Sequence, residues 1–272
     1  MDRLTRDAAV RWAAERQPAV VVEVTEVRGS APREAGARML VGVRDAIGTV
    51  GGGHLELTAI VRAREMLRTG EPGRHTEHYA LGPALGQCCG GAVTLGYTPL
   101  DAAALAAWPI ATPLFHLQMF GAGHVGRAIA TLLATLECRV DWFDERDDAF
   151  PATTGLGSPW PAHIRRVSID GVDAEVRHAP PGAHYLVLTH DHELDLRITE
   201  AVLRRGDFAY LGLIGSKTKR ERFVRRFEQR GVPAEVVARM TCPIGDDRIA
   251  GKEPAVIAVG VVGQLLRLAA RR

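Results

Sequence analysis

The chain has 272 residues, 34 Lys and Arg against 32 Asp and Glu, and 46% hydrophobic residues. This is an ordinary globular composition, long enough for two domains, and it excludes a largely disordered or fibrous chain. A net charge of +2 gives no support to general nucleic-acid binding, and four cysteines do not make a disulfide scaffold. The apolar runs are short and broken by charge or glycine, so no membrane-spanning helix is expected. The start, Met1 to Asp7, carries acids and lacks the apolar core of a signal peptide. A reduced, cytoplasmic setting is the expectation.

Residues 2–17 have the spacing of an amphipathic helix, stopped by Pro18. Val20 to Val27 reads as a strand, followed by the loop Arg28-Gly29-Ser30-Ala31-Pro32-Arg33. Strands at 37–43 and 47–50 lead to Gly51-Gly52-Gly53 and a helix over 54–68. Strands near 75–81 and 92–97 flank Gly86-Gln87-Cys88-Cys89-Gly90-Gly91. Residues 1–100 are thus expected to form an α+β domain, and 101–113 a short helix running into a linker.

From residue 114 to 272 the pattern alternates apolar strands (114–120, 139–143, 164–168, 185–188, 208–214) with helices (125–137, 193–205, 216–230, 254–270). Such alternation predicts a Rossmann-like, doubly wound parallel sheet, so the chain as a whole is α/β. Phe120-Gly121-Ala122-Gly123-His124-Val125-Gly126 fits the glycine fingerprint between strand and helix, where backbone amides favour an anion. Asp144 ends the next strand, at the offset where an acid meets a ribose hydroxyl. Two further strand ends are polar: Thr189-His190-Asp191-His192, and Gly215-Ser216-Lys217-Thr218-Lys219. A doubly wound sheet places all four segments on one edge.

Only three basic residues are lysines, Lys217, Lys219 and Lys252. Ser216 reads as a helix N-cap, which puts Lys217 and Lys219 where a helix start attracts phosphate. Lys252, just before the last helix, is either a ligand contact or a solvent-facing lysine. His190 and His192 lack accompanying ligands at a metal-binding spacing, so no metal site is expected. Cys88 and Cys89, between glycines, suit either sulfur handling or a tight turn of small residues. Cys242 is a packing residue or another thiol, and Cys138 reads as core.

Several motifs converge on a family. Residues 24–33, Gly51-Gly52-Gly53-His54-Leu55-Glu56 and Gly86-Gln87-Cys88-Cys89-Gly90-Gly91 resemble the N-terminal domain of xanthine dehydrogenase accessory proteins, the XdhC/CoxI family. The Gly121 turn, Thr189-His190-Asp191-His192, Leu213-Ile214-Gly215-Ser216-Lys217, Cys242-Pro243-Ile244-Gly245 and Gly251-Lys252-Glu253-Pro254-Ala255 continue the resemblance in order. It implies a chaperone that holds molybdenum cofactor while a cysteine desulfurase supplies sulfur, then passes it to a xanthine dehydrogenase-type apoenzyme. It implies no turnover of a metabolite.

On that reading the pterin phosphate sits at Gly121, Gly123 and Gly126 and at the Ser216-Lys217 helix start, and His124 is a further cofactor-binding residue. Asp144, His190, His192 and Lys252 border it, a nucleotide at the glycine turn is a further expectation, and Cys88 and Cys89 present thiolates to molybdenum or sulfur. The alternatives are an NAD(P)-dependent oxidoreductase with His124 or His190 as acid/base, and a non-catalytic nucleotide-binding regulator. Apolar surface beside the Cys88 loop would allow a homodimer.

Overall fold

The computed structural model describes residues 3–82, 90–110 and 112–270, and the chain divides into two compact units, 1–112 and 113–272.

The first unit is built around β1 (Ala19–Arg28), whose first half is buried on both faces. This explains its unbroken valine run, since a strand covered on one side only would alternate. It pairs antiparallel with β2 (Arg38–Gly42) and β5 (Ala92–Pro99), and β3 (Ala46–Gly48) and β4 (His75–Ala80) form the edges, giving the order β3-β2-β1-β5-β4. On one face lies α1 (Arg3–Ala14), with Thr5, Ala8, Ala9 and Trp12 buried at helical spacing. On the other lies α2 (Gly53–Thr69), whose Leu55, Ala59, Ala63 and Met66 pack on Val20, Val22, Met39 and Tyr97. The alanine-rich stretch forms α3 (Ala102–Ala106), capped by Asp101, and Trp108 is buried with Trp12, Val21 and Leu40. Residues 101–108 are therefore packed into the first unit and do not form a free linker.

The loop from Arg28 holds two other motifs against itself. Arg33 donates to the Thr49 carbonyl at 3.5 Å, just ahead of the triple glycine. There the Glu56 carboxylate accepts from the Gly52 amide and the Thr49 hydroxyl, and caps the start of α2. A Cβ on Gly91 would lie 2.4 Å from the Ser30 carbonyl oxygen and 2.5 Å from that of Arg28. Cys88 and Cys89 themselves lie outside the described residues.

The second unit is a six-stranded sheet in the order β11-β10-β9-β6-β7-β8, with every pairing parallel. The strands are β6 (His116–Phe120), β7 (Arg139–Asp144), β8 (Ile164–Ser168), β9 (His184–Val187), β10 (Tyr210–Leu213) and β11 (Met240–Thr241). Renumbered within the unit this is 3-2-1-4-5-6, the dinucleotide-binding order. One face packs on α4 (His124–Leu133) and α8 (Pro254–Ala269), through Ile129, Leu133, Val261 and Leu265. The other packs on α5 (His192–Arg205), α6 (Lys217–Gln229) and a 3₁₀ segment, Val172–His178. Between β7 and β8 no helix forms; Phe150 and Trp160 instead pack edge-on against Trp142. The 3₁₀ segment, α7 (Ala234–Val237) and two-residue β11 are too short to leave a periodic signal, and the sequence reading lacked them.

Because a methyl at Gly91 must displace backbone, Gly91→Ala is expected to destabilise the first unit by about 2 kcal/mol. Gly90→Ala, where a Cβ meets nothing within 4 Å among the described residues, should change stability by less than about 0.5 kcal/mol. Thermal unfolding of the two variants checks the contrast.

Candidate functional site

The parallel strands bring the Gly121 turn, Asp144, the Thr189 loop and the Ser216 loop to one carboxyl edge. Two clefts open there. One, of about 380 Å³, surrounds the glycine turn and includes His124, Arg146 and His190. The other, of about 440 Å³, includes His192, Ser216, Lys219 and Arg222, and both are bordered by Thr189 and Ile214.

The three fingerprint glycines have separate physical roles. Gly121 has φ +114°, and a Cβ there would sit 2.3 Å from the Leu188 carbonyl oxygen, where β6 and β9 part. A Cβ on Gly126 would sit 2.3 Å from the Gly121 carbonyl oxygen, so it permits close packing of helix on strand. Around Gly123 nothing among the described residues lies within 4 Å of the Cβ position. The turn is held from behind: the Trp142 indole donates to the Gly121 carbonyl at 2.9 Å, and Arg127 donates to the carbonyls of Ala122 (2.9 Å) and Ala149 (2.7 Å).

The starts of α4, α5 and α6 on this edge differ. At α5 the Asp191 carboxylate accepts the amides of Glu193 (2.7 Å) and Leu194 (3.2 Å). Those two bonds hold its carboxyl below the ordinary range, so a negative charge already occupies that helix start. At α6 the Ser216 hydroxyl accepts the Lys219 amide at 3.2 Å. At α4 the N-cap is Gly123, with no side-chain cap. Its first-turn amides, which no helix satisfies internally, face the smaller cleft. Of the Ser216-Lys217 start, Ser216 borders the larger cleft and caps the Lys219 amide, whereas Lys217 is exposed and borders neither cleft.

Asp144 is buried, and its carboxylate is fully engaged. Oδ2 accepts from the Ala122 amide (2.7 Å) and Arg146 Nη2 (2.9 Å); Oδ1 accepts from Arg146 Nε (2.8 Å) and the Arg146 amide (3.1 Å). Burial alone would raise its pKa, but the Arg146 guanidinium and the two amides outweigh that and hold it low. The expectation that Asp144 receives a ribose hydroxyl is therefore corrected: it buttresses the turn and fixes Arg146.

Lys219 is likewise internal. Its ammonium donates to Asp195 at 2.5 Å and to the Ile214 carbonyl at 2.9 Å, and Asp195 also accepts the Thr189 amide (3.0 Å) and hydroxyl (2.8 Å). This cluster ties β9, α5 and the β10–α6 loop together. Gly215 lets the lysine stem fold back, since a Cβ there would meet Lys219 Cδ at 2.6 Å. His124, His190 and His192 are exposed at the cleft mouths. Lys252 is exposed and borders neither cleft. Cys242 is buried, its thiol donates to the Ser216 carbonyl at 3.8 Å, and burial pushes its pKa up, so it is a packing residue. Among the described residues no group of three or more His, Cys, Asp or Glu could hold a metal ion.

Sequence reading missed Asp195, Arg127 and Arg146. Asp195 had a signal: it lies between Leu194 and Leu196 on the buried stripe of α5, and a charge there needs a partner. Arg127 and Arg146 had none, being ordinary arginines until the turn places them.

A classical-order Rossmann unit with a glycine turn at its switch point, preceded by a separate antiparallel α+β unit, defines a two-domain protein of the dinucleotide-fold class. Residues 117–265 match the XdhC Rossmann domain, and residues 12–80 match the XdhC and CoxI family; the chain belongs to that family. The uncharacterized protein YqeB of Escherichia coli (strain K12) is 29% identical over 269 residues, covering 92% of this chain and 43% of YqeB. The chain thus spans less than half of that relative's length. A Bacillus halodurans crystal structure, described as a xanthine dehydrogenase, superposes with a TM-score of 0.76 at 19% identity, covering 98% of this chain and 96% of that one. At that identity the likeness is one of fold. No helix among the described residues is long and apolar enough to cross a membrane.

Removing one member of the Asp195–Lys219 pair leaves a buried charge without its counterpart. Lys219→Met should lower stability by about 3 kcal/mol, and Lys217→Met by less than about 0.5 kcal/mol. Denaturant unfolding of the two variants measures the difference, and adding Asp195→Asn to Lys219→Met should recover part of the loss.

Proposed function

We propose that this chain serves the maturation of a xanthine dehydrogenase-type enzyme by holding molybdenum cofactor through its phosphate and releasing it to the apoenzyme after sulfuration. Membership of the XdhC/CoxI family supports the maturation role. The observation that carries the phosphate assignment is the α4 start, which, unlike those of α5 and α6, has no side-chain cap. It opens into the cleft of about 380 Å³ where the Gly123 Cβ position is clear. A phosphate fits there because amide donors and the helix dipole favour an anion, and a glycine lets it approach the backbone.

In this reading the cofactor brings the molybdenum centre that the client enzyme needs. The chain's own residues do the rest. The Gly123 turn binds the phosphate, while Trp142 and Arg127 keep the turn's carbonyls from rotating into the cleft. Cys88 and Cys89 supply soft thiolate donors, which suit molybdenum or a sulfur atom in transit from a cysteine desulfurase. A nicotinamide oxidoreductase built on Asp144 is disfavoured, because that carboxylate has no acceptor site left for a ribose diol.

Two outcomes test the reading. Protein purified from a molybdenum-replete host should carry molybdenum and fluoresce as oxidised pterin after acid treatment. Gly123→Val should lose both signals with an unchanged far-UV spectrum. Retention of both by a folded Gly123→Val protein removes the turn from the site. The Cys88→Ser/Cys89→Ser double variant should still retain pterin but fail to activate apoenzyme in a mixture of cofactor, desulfurase and client. Full activation would show that the adjacent thiols are structural.

A further inference from the structure

The acid at the end of β7 normally meets a ribose diol, whose hydroxyls donate to it. Here that role is closed. A carboxylate offers about four acceptor sites, and Asp144 fills them with the Ala122 amide and three donors of Arg146. The same bonds reverse the polarity of the place. Two of the N–H donors on the Arg146 side chain go to Asp144, and Nη1 donates to nothing among the described residues. The guanidinium is half exposed, borders the cleft of about 380 Å³, and cannot swing away without breaking a bidentate pair. Asp148 is a nearby acid but makes no ion pair with it among the described residues. At the end of β7 the cleft therefore presents a fixed fork of donors, with the Asp144 carboxylate no longer free to accept.

We propose that Arg146 forms a second anion subsite in this cleft, one that takes a phosphomonoester and disfavours a free ribose diol. The proposal rests on the reading of the glycine turn as a phosphate site. It adds that the preferred ligand carries a second anionic group, placed over the end of β7. Arg146 is then a specificity-determining residue, and Asp144 the residue that positions it. A planar guanidinium held on one edge by a carboxylate keeps its other edge for phosphate oxygens, which lysine could not reproduce.

The test uses the full chain and two probes that share adenine, ribose and a 5′-phosphate: adenosine 5′-monophosphate and adenosine 2′,5′-bisphosphate. Calorimetric titration should show the bisphosphate binding at least about tenfold more tightly. Arg146→Gln should bring the two affinities within about twofold, with monophosphate binding retained through the turn. Arg146→Lys, which keeps the charge and loses the fork, should give an intermediate preference; it also covers the case in which Arg146→Gln fails to fold. Equal affinities in the unaltered protein, a preference for the monophosphate, a preference that survives Arg146→Gln, or no binding of either probe at millimolar concentration would each overturn the subsite. Molybdenum and pterin content of the same preparation is scored separately. Cofactor retained without bisphosphate preference defeats the subsite alone. Bisphosphate preference without retained cofactor defeats the cofactor reading and leaves the subsite standing.

Discussion

Where β6 and β9 part, Gly121 comes so close to Leu188 that a Cβ would lie 2.3 Å from its carbonyl oxygen. The two strands run in parallel register up to that point, and the chain then leaves β6 for α4 on one face and β9 for α5 on the other. A crevice forms wherever neighbouring strands send their helices to opposite faces. Its floor in this protein is the backbone contact at Gly121 and its wall is the first turn of α4. Any side chain at Gly121 or Gly126 would push that floor apart, and the α4 amides would no longer converge.

Around the crevice, buried charge is used to fix backbone. Asp144 ends β7 and Asp195 lies in the first turn of α5, and each accepts both a loop amide and a cation. Asp144 orients the turn and Arg146. Asp195 orients Thr189 and holds Lys219 under the neighbouring loop. With their acceptors satisfied, neither carboxylate projects unpaired negative charge into the clefts. The side-chain caps at α5 and α6 act in the same direction, leaving α4 as the start that meets the cleft with its amides uncapped by a side chain.

Much of this was legible in the residues. The glycine fingerprint after an apolar strand predicted the turn, the strand–helix alternation predicted the parallel sheet, and the order of motifs along the chain indicated the family. Periodic elements were read to within a few residues at their ends, as β1, α5 and α8 show. The polar residues were less legible. Asp144 and Lys217 were read as ligand contacts because strand ends and helix starts attract ligands. Which of their atoms are free depends on partners 2 to 22 residues away in sequence, such as Arg146 and Ala122 for Asp144.

By itself the sequence determined the class of the two folded units, the position of the glycine turn and the family, because these depend on local periodicity and on glycines at fixed spacing. Only the tertiary structure decided which charged groups face a ligand. Asp144 and Lys219 carry full charges at the predicted edge, yet both are spent on buttressing it. Arg146, an unremarkable arginine in the sequence, is left with donors pointing at the cleft. The physical reason is that hydrogen-bond capacity is finite: a carboxylate or ammonium satisfied inside the fold has little left for a ligand, and that accounting closes only when the partners are brought together in space.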